Sequence, residues 1–125
     1  MAMSGLQPHD RHTVTPRLIT PHPKELVQFV KNVFRGQGEF QADRPSDIRI
    51  GDSLIMISDG GGLRDPISAL LYVYVENVDE TYGRAVEAGA TTLEPPSDQH
   101  YGDRRAMVKD AWGNLWQIAS HKRGK

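Results

Sequence analysis

The chain has 125 residues, enough for one domain with a real core, and its 38% apolar and 25% charged residues are ordinary for a globular protein. A formal charge of −1 without a basic block argues against nucleic acid, which needs Lys and Arg massed on one face. The absence of Cys excludes disulfides, thiolate metal sites and thiol nucleophiles and fits a reducing cytoplasm, and no apolar run approaches the ~20 residues that span a membrane. Residues 1–12, MAMSGLQPHDRH, lack the apolar middle of a signal peptide and read as a mobile arm, and residues 122–125 read as a solvated basic tail.

Residues 14–20, VTPRLIT, are apolar and β-branched enough for a strand, with Pro16 pointing to an edge position. Pro21 and Pro23 stop it, and Pro23 suits the first turn of a helix. Leu26, Val27, Val30, Val33 and Phe34 recur at helical spacing, which predicts a helix over 23–35 with Gly36 at its C-terminal cap. A short strand is expected at 38–42. Firmer ones follow at 47–50 and 54–58, joined by Gly51-Asp52 as a tight hairpin. Asp59-Gly-Gly-Gly and Asp65-Pro66 read as a flexible connector over residues 60–67. The Gly run lacks the Lys-Ser/Thr or the Gly spacing of a phosphate-binding loop.

The pattern then restarts. Residues 70–75 form a strand, and Val78, Tyr82, Ala85 and Val86 mark a helix with Asn77 or Asp79 as its N-cap and Gly89 at its end. Thr91-Thr92-Leu93 is a short strand that Glu94-Pro95-Pro96 is expected to leave. Strands at 106–109 and 115–120 flank the turn Asp110-Ala-Trp-Gly-Asn. Residues 51–58, GDSLIMIS, lie over residues 113–120, GNLWQIAS, so a βαβββ unit occurs twice, about residues 13–59 and 68–121. The expected fold is α+β: two tandem βαβββ modules, within one domain of residues 13–121, forming a curved mixed sheet with helices outside and a concave ligand cup.

With this repeat in place the chain resembles the glyoxalase/bleomycin-resistance/extradiol-dioxygenase superfamily, the vicinal oxygen chelate fold, nearest to its small bleomycin-resistance-like binding members. The carriers are the paired modules, Arg49-Ile-Gly-Asp-Ser, Tyr74-Val-Glu-Asn-Val-Asp, Ala85-Val-Glu-Ala-Gly-Ala, Tyr101-Gly-Asp-Arg and Asp110-Ala-Trp-Gly-Asn-Leu-Trp. The resemblance implies a divalent metal held by His and Glu in its enzymes. Carried onto this chain, those positions fall at or near Thr15, near residues 45–47 where only Asp47 has a donor, at Leu70 and at Gln117. That set implies no bound metal and no cofactor. The histidines do not replace it: His9 and His12 lie in the arm, His22 sits between prolines, His121 closes the last strand, and only His100 is placed to reach the cup. Tyr101-Gly-Asp-Arg resembles the Trp-Gly-x-Arg stretch of bleomycin-binding proteins, where a ring helps close a groove shared by two subunits. The same likeness implies a homodimer.

Strand alternation, phased on the family's ligand positions, turns Thr15, Arg17, Ile19, Ile55, Ile57, Leu70, Tyr72, Tyr74, Leu115, Gln117 and Ala119 into the cup, with Asp47, Arg49, Met107 and Lys109 at the rim. The other parity, including Leu54, Met56, Trp116 and Ile118, packs under the helices. The residues proposed to touch a ligand are Arg17, Ile55, Ile57, Leu70, Tyr72, Tyr74, Tyr101, Met107, Trp112 and Gln117, with no catalytic residue among them. Tyr72 and Tyr74 serve either as stacking surfaces or as plain half-buried sheet residues. Trp112 serves either as a lid or partner surface or as a turn residue folded onto its own sheet. The expected function is sequestration of a hydrophobic or aromatic natural product, as in antibiotic resistance, by a cytoplasmic homodimer that touches neither membrane nor nucleic acid. The alternative is a glyoxalase- or dioxygenase-like enzyme acting on a small organic substrate, metal-dependent or metal-free.

Overall fold

Local signals start each element. Pro23 at the first helical position and Glu25 in the first turn open α1 (Pro23–Phe34), and Lys31 sits in its last turn. Leu26, Val27, Val30 and Val33 are at most 3% exposed, the stripe their spacing predicts. Helix α2 (Val78–Glu87) is capped by Asn77, whose side chain accepts from the Glu80 N–H at 3.0 Å. A computed structural model of the protein describes residues 12–62 and 65–121; the arm before His12, Leu63 and Arg64 of the connector, and the tail after His121 lie outside the described residues. Among the described residues no helix is long and apolar enough to cross a membrane.

The chain adopts the α+β plan of two modules, each with its own mixed sheet. The described residues divide between Ile67 and Ser68, with Asn32–Phe34 grouped with the second unit. In the first unit β1 (Arg17–Ile19), β2 (Ser46–Ile50) and β3 (Ser53–Ser58) lie in the order β1-β3-β2, β1 parallel and β2 antiparallel to β3. Gly51, at φ 58°, makes the two-residue turn from β2 to β3. In the second unit β4 (Leu70–Tyr74), β5 (Thr91–Asp98), β6 (Asp103–Lys109) and β7 (Leu115–His121) lie in the order β4-β7-β6-β5.

Several expectations change. The strand at 38–42 is reduced to one antiparallel bridge, Gln37 to Arg49. Beyond it the backbone turns at Gly38, φ 134°, and the Gln41 N–H bonds to the Ser46 hydroxyl at 2.8 Å instead of to a strand. The left-handed residue that ends α1 is Arg35, φ 58°, one position before Gly36. The glycine run makes a 3₁₀ turn, Gly60–Gly62, whose first amides bond to the Ser58 hydroxyl (3.2 Å) and the Asp59 carboxylate (2.8 Å). Strand β5 runs through Pro95 and Pro96 because it is an edge, where two missing N–H groups cost little, and its register shifts at these residues. Helix α2 buries Val78, Thr81 and Ala85, while Val86 is 43% exposed and Tyr82 reaches the Thr92 hydroxyl at 2.8 Å.

The largest correction concerns β3. Ile48 pairs with Ile55, Ser46 and Leu18 pair with Ile57, and all five are at most 4% exposed. Ile55 and Ile57 therefore belong to the core of the first unit. Leu54 and Met56, expected in that core, are half-buried on the face shared by Arg17, Asp47 and Arg49. The overlay of residues 51–58 on residues 113–120 sets Gly51 against Gly113. The first turn, however, spans residues 51–52 and the second residues 110–114, so the true correspondence is one residue off, and one residue inverts a strand's faces.

Candidate functional site

In the second unit α2 packs on β5, β6 and β7. Trp116 and Ile118 of β7 and Ala106 and Val108 of β6 are fully buried. Alternation sends the intervening residues to the opposite face. The register lays that face out in rows: Leu70, Leu115 and Lys109; then Tyr72, Gln117 and Met107; then Tyr74, Ala119 and Arg105; then His121 and Asp103. Leu70, Tyr72 and Tyr74 are exposed large side chains on this face.

The last two rows converge on Asp103. Asp103 is buried, 3% exposed as a residue. It accepts from the Tyr72 hydroxyl at 2.6 Å and the Tyr74 hydroxyl at 3.1 Å, both on Oδ2, while His121 Nδ1 lies 2.8 Å from Oδ1. Tyr101 arrives on the loop before β6, its hydroxyl 3.4 Å from that of Tyr72 and accepting from Arg105 Nη1 at 3.0 Å. Arg105 Nη2 meets Glu94 at 2.6 Å. The rings of Tyr72 and Tyr74 lie 5.4 Å apart at 57°. Tyr72, Tyr74, Tyr101, Asp103 and His121 line one pocket of about 480 Å³.

The electrostatics follow from these bonds. The Tyr72 hydroxyl, then His121, hold the Asp103 carboxyl below the usual carboxylate range. Burial, then the bond to Asp103, pushes the Tyr72 phenol well up, and the bond to Asp103 raises Tyr74. The Glu94 carboxylate raises Arg105. At neutral pH the cluster is thus an ionised carboxylate ringed by neutral phenols. On the helix side, Arg104 clamps both Asp79 oxygens at 3.0 Å and ties α2 to β6.

Of the residues proposed from sequence, the structure brings Tyr72, Tyr74 and Tyr101 together and sets Leu70, Met107 and Gln117 along the same face. Arg17 lies in the first unit, bonded to the Ser58 hydroxyl at 3.0 Å, and Ile55 and Ile57 are core. Trp112 is half-buried in the β6–β7 turn, at the end of β6 away from Asp103, a strand length of about 20 Å. His100 is exposed, edge-on to Tyr101 at 5.3 Å, while His121 is the histidine in the pocket. Asp103, His121 and Arg105 were missed. The signal for them was the alternation itself: counting back in twos from Met107 reaches Arg105 and Asp103, and forward from Gln117 reaches His121.

The positions that the resemblance assigns to a metal do not suit one. Leu70 has no donor atom, and Gln117, a neutral amide, stands in the register between Tyr72 and Met107. Among the described residues no three His, Asp or Glu side chains converge so as to hold an ion. A catalytic divalent metal asks for about three protein ligands, which this donor set does not supply.

Comparison with known proteins agrees with the architecture. Residues 11–118 match the model of the Glyoxalase/Bleomycin resistance protein/Dioxygenase superfamily. An uncharacterised protein of Mycobacterium tuberculosis is 32% identical over 82 residues, covering 57% of this chain and 48% of that protein, and a Mycobacterium bovis protein matches at the same identity over 54% of its length. The chain thus spans about half the length of these relatives. Among solved structures, TioX from Micromonospora sp. ML1 has a TM-score of 0.74 at 24% identity, covering 88% of this chain and 98% of TioX. The fosfomycin resistance protein FosX from Mesorhizobium loti has a TM-score of 0.67 at 15% identity, covering 90% and 93%. At these identities the likeness is one of fold.

Proposed function

Because this chain belongs to the glyoxalase/bleomycin resistance protein/dioxygenase superfamily, we propose that it binds a small organic molecule with an aromatic or apolar body and sequesters it without changing it. The observation that carries this reading is the pocket of the second sheet, where three tyrosines surround a buried carboxylate on a face rich in exposed apolar surface. Tyrosine rings give contact area at small entropic loss, and their hydroxyls orient a ligand. The same reading has the protein act as a cytoplasmic homodimer, which sedimentation at several concentrations tests.

One observation favours an enzyme instead. With Nδ1 of His121 turned to Asp103, Nε2 is left to take a proton from a bound molecule. A single experiment separates the two. Calorimetric titration with a panel of aromatic antibiotics, bleomycin and fosfomycin is followed by mass spectrometry of the recovered compound. Saturable binding with unchanged compound supports sequestration, a mass change supports catalysis, and no binding across the panel overturns the proposal.

A further inference from the structure

Resting on the proposed binding site, we infer that its ligand is a protonated amine carried on an aromatic or apolar body. The argument is one of hydrogen-bond polarity. An ionised carboxylate can only accept, so the Tyr72 and Tyr74 hydroxyls must both spend their hydrogens on Asp103 Oδ2, and His121 Nδ1 its hydrogen on Oδ1. With the Tyr72 hydrogen committed, the contact between Tyr101 and Tyr72 has Tyr101 as donor, and Arg105 in turn donates to Tyr101. The hydrogens from Arg105 through Tyr101 and Tyr72, and those of Tyr74 and His121, all run towards one carboxylate. What remains for the pocket is phenol lone pairs, the outer edge of the His121 ring, and ring faces.

A lining of acceptors rejects another acceptor and selects a donor. The charge agrees. Asp103 carries the negative charge of the pocket, and the Arg105 guanidinium that donates to Tyr101 is itself paired with Glu94 at 2.6 Å. Three tyrosine rings add their negative faces, which attract a cation desolvated among them. An alkylammonium meets all three demands: hydrogens for the lone pairs, charge for the carboxylate, and a body for the exposed rings and Leu70. A carboxylate or phosphate ligand brings neither the hydrogens nor the positive charge.

The test uses the full chain, labelled at its tyrosine rings, titrated near neutral pH with benzylammonium, benzyl alcohol and phenylacetate and followed by NMR. Benzylammonium is expected to shift the rings of Tyr72, Tyr74 and Tyr101 and to bind roughly tenfold or more tightly than benzyl alcohol, with phenylacetate weakest. In Asp103→Asn the preference for the cation over the alcohol falls towards one. Tyr74→Phe keeps the ring and frees a lone pair of Asp103 Oδ2, and it provides a second readout if the Asn variant does not fold: benzylammonium keeps its preference over benzyl alcohol there, and loss of that preference overturns the ammonium ligand. Equal or tighter binding of the alcohol or the acid at these rings overturns the ammonium ligand and leaves the binding site standing. Failure of all three probes to move any of the rings overturns both.

Discussion

The hairpin that carries β7 is held by one carboxylate, and removing it should cost the protein a large part of its stability. Asp110 is 5% exposed. Its Oδ1 accepts from the backbone N–H groups of Trp112 and Asn114, both at 2.9 Å, and its Oδ2 from Asn114 Nδ2 at 3.0 Å and Trp116 Nε1 at 2.9 Å. Asn114 in turn accepts from the Ala69 N–H at 2.9 Å, and Leu115 N–H bonds to the Ala69 carbonyl at 2.8 Å, so the entry of β4 hangs on the same loop. In Asp110→Ala three donors on buried residues, two from Asn114 and one from Trp116, lose their acceptor. At about 1–3 kcal/mol for each donor left unsatisfied, partly relieved by relaxation, the expected loss is about 4 kcal/mol. That is a large fraction of the 5–15 kcal/mol, roughly, by which domains are stable. Urea unfolding followed by far-ultraviolet circular dichroism measures it. In a Trp116→Phe background one of the three donors is already gone, so Asp110→Ala should cost about 1–2 kcal/mol less there. A loss below about 1 kcal/mol, or equal losses in both backgrounds, would refute the claim that this carboxylate organises the turn.

Other consequences are as direct. Asp103→Asn weakens the hydrogen bond that, ahead of burial and the carboxylate's charge, holds Tyr74 up, so in an absorbance titration at 295 nm this phenol should ionise closer to its ordinary range near about 10 than in the wild type. The folded Asp103 carboxyl lies below its unfolded value, so the unfolded chain binds the proton first. Its stabilisation is complete above roughly pH 4 and is lost as the pH falls through the lowered folded value, and urea midpoints should drop more steeply in acid for the wild type than for Asp103→Asn. Tyr72 and Tyr74 are raised, so their contribution is complete below about pH 10 and is lost as the pH rises through the raised folded values. Gly38→Ala sets a Cβ against the Asp47 carbonyl oxygen at φ 134° and should destabilise by about 2 kcal/mol or more in the same urea assay. Arg35→Gly relieves a left-handed non-glycine at the end of α1 and should raise stability by about 0.5–1 kcal/mol.

Much of this architecture was written in local patterns. Pro23 and the Leu26-Val27-Val30 stripe announce α1, Asn77 announces α2, Gly51 announces a hairpin, and the second appearance of this plan announces two modules. These are properties of short stretches, where spacing and turn chemistry act over a few residues. Which face of β3 points inward is of another kind. It depends on the difference between a turn over residues 51–52 and one over residues 110–114, and a strand's two-residue period converts a slip of one position into complete inversion, which sets Ile55 and Ile57 in the core rather than the lining. The cluster at Asp103 is likewise a product of tertiary structure. Tyr72 and Tyr74 come from β4, Tyr101 from a loop, Asp103 from β6 and His121 from the end of β7. Strand pairing brings them to one carboxylate, and no spacing along the chain records that they meet there.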